Sequence, residues 1–187
     1  MLAGEPGIGK SALADAFAEA ARRRGAGVTW GRCWEAGGAP AFWPWTQALR
    51  SYARGREPQE LRDQLGTGAA EVAQILPEVR ELLPAVPAPP ELDPDTARFR
   101  LFDAVATFLR NAAARRPLVI VLDDLHVADR PSLLFLEFLA AELSTAPIVV
   151  VGAYRDTGLP RDHPLLPTLV EVARHPITER LQLRGLG

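Results

Sequence analysis

Lys10 is the only lysine in a chain of 187 residues that carries twenty arginines, and it stands in Gly4-Glu5-Pro6-Gly7-Ile8-Gly9-Lys10-Ser11. The spacing G-x-x-x-x-G-K-[ST] describes a loop whose backbone N–H groups wrap a row of phosphates. A slim ammonium reaches the β- and γ-phosphates where a planar guanidinium would be too bulky, which is a physical reason to keep lysine at this one place. Ser11 supplies a hydroxyl of the kind that holds Mg²⁺ beside the phosphates. Gly4 to Ser11 are therefore the expected nucleotide-phosphate site.

Two further stretches end in groups that suit the same chemistry. Leu118-Val119-Ile120-Val121-Leu122 is a continuous aliphatic run, the pattern of a strand buried on both faces of a parallel sheet, and it ends on Asp123-Asp124. Beside a phosphate loop, the first acid at such a strand end orients the magnesium shell and the second polarises the attacking water. Asp123 joins Ser11 as an expected metal-site residue, and Asp124 is the expected hydrolytic acid. Ile148-Val149-Val150-Val151-Gly152-Ala153-Tyr154 repeats the strand pattern and ends on Arg155-Asp156. Ligands of open α/β sheets bind at the carboxyl ends of strands, so Arg155 is the expected γ-phosphate sensor, with Asp156 orienting or pairing it. His126, His163 and His175 have no metal-ligand spacing and read as structural.

These residues need elements to hold them. Leu13, Phe17, Ala20 and Ala21 recur at helical spacing from Ser11 to Arg24, the triplet Arg22-Arg23-Arg24 suits the negative end of a helix dipole, and Gly25 suits its cap. Val28 to Arg32 reads as a strand. Trp30, Trp34, Trp43 and Trp45 then predict an aromatic cluster around a loop and a helix near Trp45 to Tyr52, with Trp34 to Pro40 a second candidate for a nucleotide or partner surface. Short helices over Gln59 to Leu65 and Ala69 to Leu76 precede a connector with Pro84, Pro87, Pro89, Pro90 and Pro94. A long helix opening at Asp95 or Thr96 shows one face in Phe99, Phe102, Ala106 and Leu109. Helices over Pro131 to Leu143 and Leu165 to Arg174, and a strand over Arg180 to Leu183, complete the pattern.

Composition narrows the class. With 48 % hydrophobic residues the chain can bury one α/β core, so a single domain over 1–187 is expected. Twenty-one basic against twenty-three acidic residues leave a net charge of -2, without the footprint of a nucleic-acid surface. One cysteine, Cys33, excludes an internal disulfide, and no apolar run is long enough to span a bilayer. The expectation is a cytoplasmic protein without membrane contact or direct nucleic-acid binding.

The loop Gly4 to Ser11, Gly31-Arg32-Cys33-Trp34-Glu35 with Pro40-Ala41-Phe42-Trp43-Pro44-Trp45, Leu122-Asp123-Asp124-Leu125-His126-Val127-Ala128-Asp129 and Gly152-Ala153-Tyr154-Arg155-Asp156 together resemble the nucleotide-binding domain of bacterial STAND-class signal-transduction ATPases. The form they resemble most is the AAA-type domain of large ATP-binding LuxR-family transcriptional regulators. The resemblance implies a P-loop NTPase three-layer α/β sandwich with a mainly parallel sheet in strand order 5-1-4-3-2. It implies ATP and Mg²⁺ as ligands and slow ATPase chemistry used as a switch. Lys10 and Ser11 would bind phosphate and metal, Asp123 and Asp124 would form the magnesium and hydrolysis pair, and Arg155 would sense the γ-phosphate. Partners would be ATP and ADP, further copies of the chain, or sensor and output domains of a longer parent. The same module also fits a nucleotide cyclase or protein kinase output, and less well a small-molecule P-loop kinase, whose lid would need basic residues that the stretch before Arg155 almost lacks.

The chain departs from the family at Val127, where tryptophan is usual. Only Met1-Leu2-Ala3 precede the loop, whereas a central strand runs to about five residues, so the first strand is expected to be truncated. A fragment lacking that strand, the lid and the output domain is the expectation for the whole.

Overall fold

The aliphatic run that ends on the paired acids becomes the middle of the sheet. In a computed structural model, which describes residues 1–36, 38–142 and 145–185, it forms the strand β3 (Leu118–Asp123), buried along its whole length. Around it lie β1 (Leu2–Gly4), β2 (Gly27–Arg32), β4 (Ile148–Arg155) and β5 (Leu181–Gln182). All neighbours pair in parallel, in the order β2-β3-β4-β1-β5. This is the strand order expected for a P-loop NTPase, counted from the other edge. It sets the carboxyl ends of β1, β3 and β4 side by side, with Gly4 in register with Arg155 and Arg32 with Asp123.

The alternation of β3 explains the layers. Val119 and Val121 face a small cluster with Leu2, Ala14 and Ala153 beneath α1 (Lys10–Arg23), while Leu118, Ile120 and Leu122 face the main core. That core is built with α2 (Trp43–Ala53), α3 (Pro58–Leu65), α4 (Ala69–Val72), α5 (Glu78–Leu82), α6 (Pro94–Arg115), α7 (Arg130–Glu142) and α8 (Leu165–Ala173). Asp93 caps α6, its Oδ1 accepting from Thr96 N–H at 3.0 Å, two to three residues ahead of the expected start. Pro94 then occupies the first helical position, where its missing N–H costs nothing.

Three expectations need correction. Leu13 and Phe17, expected on the inner face of α1, are exposed, and Ala14 and Ala18 lie against the sheet instead. Small side chains let the helix lie close over the strands that carry the loop. Phe99, expected on the inner face of α6, is also exposed, while Phe102, Ala106 and Leu109 are buried. The four tryptophans do not form one cluster. Trp45 is buried in the main core edge-on to Phe135, Trp30 packs on the opposite face of the sheet, and Trp34 is exposed. Gly37 of the tryptophan loop, Leu143 at the expected end of α7, and Gly187 lie outside the described residues.

The first strand is short, as expected: β1 pairs with β4 over three positions only. Below its start, Met1, Leu139, Ile148, Val150, Val172 and Ile177 line an apolar groove of about 260 Å³. The α-amino group of Met1 donates to Glu179 O at 2.6 Å, and its burial lowers its pKa.

One contact fixes the approach of α2 to the sheet. A Cβ on Gly31 of β2 would lie 1.9 Å from Pro44 O at the start of α2, a backbone atom that cannot swing aside. Gly31→Ala is expected to destabilise the fold by about 1–3 kcal/mol, seen as a lower denaturation midpoint. An unchanged midpoint would show that α2 does not rest on β2 in this way.

Candidate functional site

The phosphate loop joins β1 to α1, and its glycines answer to backbone geometry. Gly7 (φ 76°) and Gly9 (φ 100°) adopt left-handed conformations that other residues avoid, although a Cβ at either would meet nothing within 4 Å. Gly9 is the N-cap of α1, and no side chain caps that end. The first N–H groups of the helix therefore lack intrahelical acceptors, and together with the positive end of the helix dipole they favour an anion. Lys10 is buried, its Nζ donating to Gly4 O and Glu5 O, both at 2.8 Å. The ammonium is thus held across the mouth of its own loop.

Asp123 is the most constrained group. It is 2 % exposed, at the end of a strand of aliphatic neighbours, and both of its carboxylate oxygens are engaged. Oδ2 accepts from Ser11 Oγ at 2.9 Å and from Arg32 Nη2 at 3.1 Å, and Oδ1 accepts from the N–H of Asp124 at 3.0 Å. The hydroxyl from α1 and the carboxylate from β3 form an all-oxygen pair of the kind Mg²⁺ takes, so the donors fit the ion that the phosphate loop implies. Asp124 sits in a left-handed conformation (φ 60°, ψ 40°), uncommon for a residue with a side chain and often found at working sites. Arg32 Nε lies 4.0 Å from its Oδ2.

Arg155 ends β4 in register with Gly4, beside the start of the loop. Its partner is not Asp156, which instead accepts from Gln182 Nε2. Arg155 Nη2 donates to Glu35 Oε1 at 2.7 Å, across 120 residues of sequence. The structure brings Lys10, Ser11, Asp123, Asp124 and Arg155 to one end of the sheet, together with Arg32, Glu35 and His126. Of these three, Glu35 lies in the Trp34-to-Pro40 stretch expected as a second candidate surface, whereas Arg32 and His126 carried no expected site role. His126, expected to be structural, is buried beside the acids with both ring nitrogens lacking hydrogen-bond partners among the described residues, and its Nε2 is 3.6 Å from Glu35 Oε1. Burial, and then the charge of Arg155, lower its pKa, so it is neutral near pH 7. Its signals in the sequence were its closeness to Asp124 and its place in the Leu122-to-Asp129 stretch that carries the resemblance.

Glu35, Asp124 and His126 bring ligand-type atoms within 4.8 Å of one another. With Arg155 on Glu35 and Arg32 near Asp124, their charges already face guanidinium groups, which disfavours a cation there. Val127 lines a cleft of about 150 Å³ with Trp34 and Trp43. Cys33 anchors the start of the loop that carries Glu35 and follows Arg32 of β2, its N–H donating to Asp123 O at 3.0 Å.

A family model described as AAA ATPase domain matches residues 1–151. No curated protein matches the chain, and no solved structure does. No helix among the described residues is long and apolar enough to cross a membrane.

Burial, and then the carboxylates of Asp129, Asp124 and Asp123, push the Cys33 thiol up to about 12. The thiol is therefore protonated and nearly unreactive in the folded protein. Labelling at pH 8 is expected to be far slower than for an unfolded control and to accelerate in denaturant. Equal rates would contradict the buried setting of this loop.

Proposed function

The chain belongs to the AAA ATPase domain family, a nucleotide-binding ATPase module, and on that premise we propose that it binds Mg-ATP and hydrolyses it slowly as the switch of a bacterial LuxR-type transcriptional regulator. The single observation that carries the binding reading is the 2.9 Å contact of Ser11 Oγ with Asp123 Oδ2 beside the Lys10 loop. It joins the metal-binding hydroxyl and carboxylate across the sheet end.

In this reading the loop residues Gly4 to Gly9 wrap the phosphates with their N–H groups, and Lys10 moves its ammonium from the loop carbonyls to the β- and γ-phosphate oxygens. Ser11 and Asp123 would hold Mg²⁺, which when bound would supply positive charge to the phosphates. Asp124 accepts a hydrogen bond from water and orients its oxygen in line with the γ-phosphorus, so that the new P–O bond forms as the bond to the β–γ bridging oxygen breaks, ADP leaves and the water's proton passes to the released phosphate. Arg155 stabilises charge on the γ-phosphate.

The regulator context rests on the motif resemblance around Gly31 to Glu35 and Leu122 to Asp129. It puts the module in the cytoplasm, next to sensor and output domains of a longer parent. Replacing Lys10 by Ala in that parent is expected to alter transcription of its target genes, and an unchanged transcript profile would count against this context.

Calorimetric titration of Mg-ATP tests the binding reading. Lys10→Ala is expected to weaken binding about 10- to 100-fold, the loss of charge-assisted contacts to phosphate. Asp124→Asn is expected to keep ATP affinity and to lower turnover about 100-fold or more. Equal titrations of the parent protein and Lys10→Ala would refute the proposed site.

A further inference from the structure

Glu35 is the acid that the ATPase reading leaves without work, and its surroundings are unusual. Its Oε1 accepts from Arg155 Nη2 at 2.7 Å and lies 3.6 Å from His126 Nε2. The Arg155 contact is charge-assisted, while the His126 distance is too long for a hydrogen bond. His126 is 8 % exposed, yet neither ring nitrogen has a hydrogen-bond partner among the described residues, a costly arrangement for a buried polar ring. One carboxylate thus stands between a cation that it holds and a buried donor that it nearly reaches.

Magnitudes decide what such a pair can do. Both side chains are substantially exposed, 39 % for Arg155 and 54 % for Glu35, so their attraction is weak and a ligand of higher charge can displace one member. Arg155 lies beside the loop at the register of Gly4, so a phosphate oxyanion reaching its guanidinium must compete with the Glu35 carboxylate. A carboxylate released there would face Asp124, within 4.8 Å, and the phosphate charge. A movement of well under 1 Å toward His126 Nε2–H would instead give it a hydrogen bond and satisfy the buried ring.

We propose that Glu35 is a specificity-determining residue: it competes with the terminal phosphate for Arg155 and, when displaced, takes His126 as its second partner. The inference rests on the reading of Arg155 as the γ-phosphate sensor. Glu35 acts through Arg155 and touches no nucleotide itself. Its competition sets how strongly a triphosphate must bind before Arg155 engages, while a diphosphate that does not reach Arg155 leaves the pair in place. His126 makes the displaced position a defined one.

The test is calorimetry with Mg-ATP and Mg-ADP on the whole chain and on Glu35→Gln, Arg155→Ala and the double variant. Glu35→Gln is expected to tighten ATP binding about two- to fivefold, the weight of an exposed ion pair, with ADP unchanged. In the Arg155→Ala background the same change is expected to do nothing, a non-additivity that a merely structural role of Glu35 would not produce. An Arg155→Ala protein with an unaltered ATP-to-ADP ratio would overturn the sensor reading itself. If Arg155→Ala lowers that ratio but Glu35→Gln leaves ATP affinity unchanged, weakens it, or shifts ATP and ADP equally, the Glu35 inference alone falls. Thermal denaturation of each variant confirms folding before titration, and the exposure of Glu35 makes its amide replacement a mild one.

Discussion

A carboxylate cannot be buried at the end of an aliphatic strand unless its charge is met, and Asp123 is that carboxylate. Three elements converge to meet it: the Ser11 hydroxyl from α1, the Arg32 guanidinium from β2 and the backbone N–H of Asp124. The same convergence builds the site. Ser11 can reach Asp123 only if α1 starts directly above the end of β3, which requires the left-handed turn at Gly9 and the close seat of Ala14 and Ala18 on the sheet. Arg32 can reach it only because β2 pairs with β3 in the register that sets Arg32 opposite Asp123.

Charge is matched across this end of the sheet in interlocking pairs. The segment from Arg32 to Glu35 offers a cation to the acids of β3 and an anion to the arginine of β4. Lys10 rests on loop carbonyls that carry no formal charge. In the proposed reading, a Mg-nucleotide would add charges of the same two signs, cation near Asp123 and anion near Lys10 and Arg155, and binding would exchange partners among groups already in place.

Much of this was legible in the sequence because it is local. The phosphate loop is eight consecutive residues, and the aliphatic run ending on Asp123-Asp124 announces a buried strand and its acids together. The strand order came with the motif resemblance, and the sheet has it. What stayed hidden is non-local or depends on packing. Glu35 meets Arg155 across 120 residues, whereas the neighbouring Asp156 turns to Gln182, so proximity in sequence pointed to the wrong partner. Leu13 and Phe17 have the right period for an inner face, but close approach to the sheet favours alanine. The tryptophans are near in sequence because a strand, a loop and a helix follow one another there, and the sheet then separates Trp30 from Trp45.

The most direct test of the whole account is a crystal structure of the chain with Mg²⁺ and a non-hydrolysable ATP analogue. The account predicts Mg²⁺ between Ser11 and Asp123, Lys10 on the β- and γ-phosphates, and Arg155 withdrawn from Glu35 toward the γ-phosphate. A nucleotide bound away from the loop, or one bound with the metal out of reach of both Ser11 and Asp123, would contradict it.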